Sequence, residues 1–549
     1  MKKICCALLS FSVLATSFTQ LSSQNDIPRA SDKYFISNAT VVPKPGIQLP
    51  NTSILLEDGI ITDVGKIAQP YDAIKIEADS LYVYAGFIAG LSHVGLQKPE
   101  QNNNRPKVDR TGYPPNDIAG ITPEKGIREL YKSNHNSIQN MRKAGFTISH
   151  SVPYGLMMPG KGSVISLNGM GFHDAVIKED ISLFAQWKPA RRVFPGTIIG
   201  IMAKWRELYT NASHANLHSQ SYDKNPSNKS RPDHDAATEG LFDVVDKKIP
   251  VFFAANKNLN IHRALQLQSD LGFDLMVSEI QMGHQTKEKI KKQEAGVLLS
   301  LDLPMEVKEK EGELGEEKKT LVERKKAAIK DAISQSADFS EDGLPFAYSF
   351  LEVRISDIHS NLKRIIDQGL SHNDALAALT TQAADALDIA QMAGTIEPGK
   401  LAHLVLSTGP VFEEKSKIKM VFVDGMKYEY DTKEKKKSKG DSVADLAGSW
   451  AFEVEDIPDE IPTGVIMLKK ESETYTGTMT STTTGDLVIN LDDVSVDGST
   501  MTFSFTIPID GSDVTIETKL NFKETTFDGE IAIPALGTFP MIGEKKDPN

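Results

Sequence analysis

The chain has 549 residues, 40% of them hydrophobic, and a formal net charge of −13. At about 150 residues per domain, that length predicts two or three folding units once a large barrel is counted as one. Both cysteines, Cys5 and Cys6, lie at the extreme N-terminus. The rest of the chain therefore excludes disulfides, thiol nucleophiles and thiolate metal sites, and the acidic balance argues against nucleic-acid binding, which needs clustered Lys and Arg.

The first residues, MKKICCALLSFSVLATSFTQLSSQ, start with Lys2 and Lys3, run apolar from Ile4 to Ala15 and end in small and polar residues. This pattern predicts an export signal over 1–24, too short to span a membrane as a mature helix. The mature protein is thus expected in the periplasm or outside the cell. Cys5 and Cys6 fall inside the signal, too early to be a lipid-attachment cysteine at its cleavage point. No later apolar run reaches the roughly 18 residues of a membrane span, so none is expected in the mature chain.

From Tyr34 to Ile76, apolar and polar positions alternate through "YFISNATVV", "SILLEDGIITDVG" and "AIKIEA", with Asp58-Gly59 as a turn. The alternation predicts a small antiparallel sheet of hairpins. The texture then changes. Short apolar runs ("LYVYAGFIAGL", "AGFTISHSVP", "GSVISLNG", "IPVFFAAN", "FDLMVSE", "AGVLLSLDLP", "GLPFAYSF") alternate with helical stretches at Lys125–Lys143, Leu259–Gly272 and Lys318–Ser336. Apolar runs separated by helices indicate a parallel sheet buried on both faces, and this number of runs fits a (β/α)8 barrel over 81–400.

At Leu401 strands return ("AHLVLSTG", "IKMVFVDGMKYEY"), and these are expected to rejoin the first sheet as a composite β-sandwich of 32–80 and 401–430. Residues 431–441, DTKEKKKSKGD, read as a charged linker. Over 442–549, short strands recur at about ten-residue spacing with Gly and Asp turns, as in a separate β-sandwich or small barrel. From Asp441 onward, 6 Lys and no Arg face 21 Asp and Glu, which leaves −15 on this domain and a body close to neutral.

Four strings in order, "ILLEDGIITDVG", "AGFIAGLSHVGL", "ALAALTTQAADALDI" and "AGTIEPGKLAHLVL" leading to "IKMVFVDG", resemble the amidohydrolase superfamily, and within it the imidazolonepropionase-like branch. The resemblance runs from Asp32 to Tyr430. It implies a (β/α)8 barrel flanked by a sheet made from both ends of the segment. It also implies hydrolysis of non-peptide carbon-nitrogen bonds, ring deamination or dipeptide cleavage at a metal. In the family an Asp-x-His-x-His strand end, histidines on the fifth and sixth strands and an Asp on the eighth hold that metal. The metal acidifies a water, and the last Asp takes its proton.

Carried onto this chain, the first motif falls on Ala89, Leu91 and His93. The fifth-strand His falls on Ala254, with Asn256 two residues on; the sixth-strand position on Ser278 or Glu279; and the eighth-strand Asp on Leu351. The resemblance therefore implies a degenerate site, with either no cofactor or one zinc ion. A rebuilt site could draw on His93, His150 and Glu279, with Asn256 and His284 nearby, since four nitrogen or oxygen ligands suffice for zinc. The competing reading makes each histidine a half-buried side chain with a hydrogen-bond partner.

Other candidates carry less. His214 and His218 in "HANLH" read as exposed polar residues of a loop, and Lys204 as a salt-bridging helical residue. Ser92 and Ser166 lack a nucleophile elbow, and "PGKGSVISLNG" lacks the features of a phosphate loop. Two function classes stay open. One is a family hydrolase with weak or absent activity. The other is a non-catalytic subunit that binds a small molecule, an intact paralogue or a second copy of itself.

Overall fold

The computed structural model describes residues 33–99, 108–304, 316–430 and 446–546, the last apart from 455–462, 472–473, 482–487, 498, 510–511, 524 and 534–536. The expected signal at 1–24 and the linker at 431–441 lie outside the described residues. The chain divides into two compact units, Met1–Thr432 and Lys433–Asn549.

The first unit opens with five strands, β1 (Tyr34–Lys44), β2 (Ile47–Glu57), β3 (Ile60–Gly65), β4 (Ile74–Glu77) and β5 (Tyr82–Ala85). Barrel strands follow: β6 (Phe87–Ser92), β7 (Phe146–Ser151), β8 (Gly160–Ser166), β9 (Val176–Gln186), β10 (Val251–Ala254), β11 (Leu275–Ile280), β12 (Gly296–Ser300) and β13 (Ala347–Ser349). β14 (Leu404–Ser407), β15 (Ile418–Val423) and β16 (Met426–Glu429) complete the unit.

The flanking sheet joins both ends of the segment in the order β16-β15-β14-β5-β1-β2-β3, with β4 also paired to β1. β1 to β3 form the expected hairpins, but β4 and β5 run parallel to β1, so the sheet is mixed rather than antiparallel. The run Leu81–Leu96, read above as one strand feeding the barrel, divides at Gly86. Residues before it pair with β14 in the flanking sheet, and those after it enter the barrel. A side chain at Gly86 would lie 2.1 Å from the Thr147 hydroxyl, so only glycine lets the chain turn between the sheets there. The expected barrel boundary at residue 81 therefore moves to Phe87.

The barrel closes in the order β10-β11-β12-β13-β6-β7-β8-β9. Seven strands are parallel, while β8 runs antiparallel to both β7 and β9. The eight residues between β7 and β8 are too few for a parallel crossover, which takes about a dozen. Alternation along the strands splits the core. Phe87, Ala89, Phe146, Val251, Phe253, Val277 and Leu299 pack outward with the helices, and Ile88, Leu91, Ile148, Val152, Phe184, Phe252 and Leu298 fill the interior. The helices present apolar stripes to the outer layer; in Ile358–Asp367, Ile358, Leu362 and Ile365 are buried at helical spacing.

Two helix expectations change. Of the stretch 125–143 only Asn136–Lys143 is helical. "HANLH" lies within a helix spanning Ile198–Lys224, whose buried face carries Ile201, Trp205, Leu208, Tyr209, Ala212 and Asn216. The polar composition that suggested a loop is its solvent side.

The second unit is one antiparallel sheet of nine strands: β17 (Gly448–Val454), β18 (Thr463–Glu471), β19 (Thr474–Ser481), β20 (Ile489–Asn490), β21 (Asp492–Asp497), β22 (Thr500–Ile509), β23 (Ser512–Phe522), β24 (Thr526–Ile533) and β25 (Gly537–Lys545). Their order is β20-β19-β18-β17-β25-β24-β23-β22-β21. The two edge strands, β20 and β21, are separated in sequence by Leu491 alone, so the sheet must curl until its edges approach. It is barrel-like, one of the two expected forms. Its inner face holds Trp450, Phe452, Ile466, Met501, Phe503, Leu520 and Phe522.

Candidate functional site at the barrel mouth

In a barrel of this kind, the ends of the parallel strands carry the site residues. His93 follows β6, Tyr154 lies beyond β7, Ala254 ends β10, Ser278 and Glu279 lie near the end of β11, Ser300 ends β12, and Ser349 and Leu351 sit at the end of β13. These residues lie at or just beyond the C-terminal ends of the barrel strands. Whether they can act on a metal depends on what each polar atom already touches.

His150 is fully buried in β7. Its Nδ1 lies 3.0 Å from the carbonyl oxygen of Gly90 and its Nε2 2.8 Å from the Ser182 hydroxyl. A carbonyl only accepts, so Nδ1–H donates to it and the Nε2 lone pair takes the serine proton. No lone pair is left for a metal. Burial pushes the imidazole down to about 4, only partly opposed by the Gly90 bond, so it is neutral. The facing β8 residue is Gly162, where a side-chain carbon would stand 2.5 Å from His150 Nε2 and 2.8 Å from Ser182 Oγ. That glycine makes the room in which the histidine is bonded.

His93 is half-buried. Its Nδ1–H donates to the Val152 carbonyl at 2.7 Å, and its ring stacks on Tyr154 with centroids 3.7 Å apart. Burial chiefly, together with the nearby charges of Lys188 and Lys98, brings it down to about 4 against the opposing Val152 bond. Its Nε2 is the one imidazole lone pair left toward the mouth by these contacts.

Glu279 has a left-handed backbone, φ +59°, at a register irregularity between β11 and β12. Such a bulge sets two residues of one strand against one of its neighbour and re-aims a side chain. The result is that Glu279, like Ser278 before it, points inward. Its carboxylate accepts from Ser300 Oγ at 2.5 Å and from Ser349 Oγ. Burial pushes this carboxyl up to about 7 despite those two bonds, with Glu352 and Asp302 adding repulsion. Ser278 Oγ is buried and has no hydrogen-bond partner.

The other positions at which the resemblance implies ligands hold apolar side chains packed in the barrel unit. Leu91 is fully buried in the interior cluster, with Ala254 and Leu351 packed against it, and Ala89 faces the outer layer. His284 is turned to the surface helix at 316–341, with Nε2 at the Asp331 carbonyl (2.7 Å) and Nδ1 at Asp338 (2.9 Å). The side-chain oxygen of Asn256 accepts from Asn260. His214 and His218 lie on the outer helix, and Lys204 pairs with Glu207 at 2.8 Å. Among the described residues, no three His, Asp or Glu side chains come together as a metal would require. The donor set here does not fit the family's metal.

The sequence reading weighed Ser92 only as a nucleophile and missed Ser149, Ser151, Ser182, Ser300 and Ser349. Ser92 and Ser149 are 2.6 Å apart, Ser151 donates to the Val94 carbonyl, and Ser182, Ser300 and Ser349 bind His150 and Glu279. Their signal was present: "TISHS", "LLSLD" and "FAYSF" each put a hydroxyl where a barrel strand should bury an apolar side chain.

A second buried polar cluster joins the flanking sheet to β8. His403 Nε2 lies 3.1 Å from Asp424, at ion-pair distance, while Ser166 and Asn168 donate to the other carboxylate oxygen. Tyr428 donates to the Asn168 carbonyl at 2.6 Å, and the Arg142 guanidinium lies over the Tyr428 ring. Ser166 is thus a structural donor.

With this geometry in view, comparison with known proteins is informative. Residues 315–427 match the amidohydrolase family model. An amidohydrolase from Thermotoga maritima MSB8 superposes with a TM-score of 0.61 at 21% identity, covering 72% of this chain and 100% of its own. The barrel unit has the fold of that amidohydrolase, and its C-terminal part matches the amidohydrolase family model. A Xaa-Pro dipeptidase with methionine bound in its active site aligns at 17% identity, 73% and 100% coverage and a TM-score of 0.43; molinate hydrolase aligns at 12%, 72% and 95%, and 0.39. No curated protein sequence matches the chain. The matched segment contains β13, the helix pair before "GTIEPGKLAHLVL", β14, β15 and the first residues of β16, so the part that matches builds the last barrel strand and the return to the flanking sheet.

Proposed function

We propose that this protein is an exported amidohydrolase-fold protein whose barrel has lost the family's metal-dependent hydrolysis of carbon-nitrogen bonds and keeps its mouth as a binding site for a small molecule. The observation that supports this most strongly is the occupation of the candidate ligand atoms. Both nitrogens of His150 and both oxygens of Glu279 are bonded within the barrel, and Leu91 and Leu351 stand where the family's metal and proton acceptor need polar atoms. A barrel core packs independently of its catalytic residues, so the fold tolerates their replacement.

The reading predicts no metal-stimulated turnover. Purified protein supplied with zinc and panels of N-acyl amino acids, dipeptides and cyclic amides should hydrolyse none of them faster than zinc in buffer. Zinc-dependent hydrolysis that is saturable and abolished by His93→Ala would overturn it. Export is supported by the N-terminal pattern and is tested by the N-terminal sequence of the protein recovered from a cell envelope fraction.

A further inference from the structure

We propose that the barrel mouth receives a small organic ammonium ion, its charged head on the Glu279 side and its organic body against the His93–Tyr154 pair. The inference rests on the reading of the mouth as a metal-free binding site and names the ligand's chemistry.

Three carboxyl groups, Glu279, Asp302 and Glu352, come from the ends of three consecutive strands, β11, β12 and β13. Hydrogen bonds bring these strand ends together: Glu279 accepts from Ser300 and Ser349, two residues before Asp302 and three before Glu352, and Gln281, two residues past Glu279, donates to Asp302 at 3.3 Å; Glu352 adds repulsion to both other carboxyls. Around Glu279 the donors among the described residues are the neutral hydroxyls of Ser300 and Ser349. Arg354, whose charge draws the Asp302 carboxyl down, is bonded to Asp357 at 2.9 Å.

A buried hydroxyl points independently to a ligand. Ser278 Oγ lies next to Glu279 on the inward face of β11, fully buried and without a partner. An unpaired buried hydroxyl costs about 1–3 kcal/mol, and an ammonium N–H would give this oxygen the donor it lacks. Beside the carboxyl groups, where β6 pairs with β13, the neutral His93 ring stacked on half-buried Tyr154 is a flat surface suited to an organic body. Lys98 and Lys188 stand on the His93 side, so the positive head belongs at the carboxylates and not over the imidazole. An anion would meet the opposite arrangement at the deep end of the site.

Three probes of one shape separate the possibilities: benzylammonium, benzyl alcohol and benzoate, titrated calorimetrically into the full-length protein at pH 8. Benzylammonium should bind at least tenfold tighter than benzyl alcohol, with no detectable benzoate binding. Glu279→Gln should bring the ammonium down to the alcohol's level, and Glu352→Gln, at an exposed position that carries no folding risk, should weaken it several-fold. Equal binding of ammonium and benzoate, no binding of any probe, or full ammonium binding by Glu279→Gln with its fold intact by circular dichroism would each overturn the proposal. A parallel zinc titration keeps the two readings apart. Stoichiometric zinc uptake defeats the metal-free reading, whereas silence of all three probes without zinc uptake defeats the ammonium site alone.

Discussion

Replacing Glu279 by Gln should stabilise the barrel unit, and only at higher pH. The folded protein holds this carboxyl up to about 7 because burial outweighs the Ser300 and Ser349 hydrogen bonds, against an ordinary value of 4.5. Between those two values the folded state binds a proton that the unfolded chain has released, so stability falls as pH rises. Below about pH 4.5 both states are protonated and the group contributes nothing; above about pH 7 both are ionised and the whole cost is present. At 1.36 kcal/mol per unit, that cost is about 3 kcal/mol, an upper figure because water entering on ionisation reduces it. Glutamine stays neutral and can still pair with hydroxyls, which rotate to suit it. The gap in unfolding free energy between variant and parent should thus grow by up to about 3 kcal/mol from pH 4.5 to 8. For a unit of about 400 residues this is about 4 °C in Tm. Urea unfolding of both proteins across that range, without added amine, reads it directly. A difference independent of pH, or a variant that weakens as pH rises, would mean that Glu279 is ionised and charge-paired in the fold, and the reasoning would fail.

His150→Ala should cost about 3 kcal/mol or more in urea unfolding, because it leaves a cavity and strands the Gly90 carbonyl and the Ser182 hydroxyl together; its metal content should equal that of the parent. Gly162→Ala should also destabilise, since the added methyl meets His150, Val152 and Ser182 within 3 Å, and an unchanged midpoint would contradict the account of that pocket. Burial would raise the Asp424 carboxyl, but the neighbouring His403 ring and the hydrogen bonds from Ser166 and Asn168 hold it below its ordinary 3.8. Its stabilisation is therefore complete above that value and lost as pH falls through the lower folded value. Asp424→Asn should be less stable than the parent at pH 7 in urea unfolding, with the gap closing in acid below pH 4.

The sequence carried the scaffold well because barrels are written in long-range texture. Apolar runs between helices gave the closed sheet, and "AGTIEPGKLAHLVL" gave the return to the flanking strands. It carried β8 badly, since "GSVISLNG" has the composition of any buried strand and its direction is set only by the short connections on either side. Gly86 was equally silent: Leu81–Leu96 reads as one strand, and the break comes from the close approach of Thr147, a residue about 60 positions away. Leu91, Ala254 and Leu351, with Ala89 on the outer layer, were readable as apolar residues at positions where the resemblance implies ligands. Whether His150 and Glu279 had built a replacement was not, because a histidine in "TISHS" looks the same whether its nitrogens face a metal or, as here, Gly90 and Ser182.

The metal content of the purified protein tests the central claim most directly. After equilibration with zinc and exhaustive dialysis against metal-free buffer, the account predicts well under 0.1 equivalent of zinc, nickel, manganese or iron per chain, unchanged by His93→Ala. One tightly held equivalent, lost in His93→Ala, would contradict it.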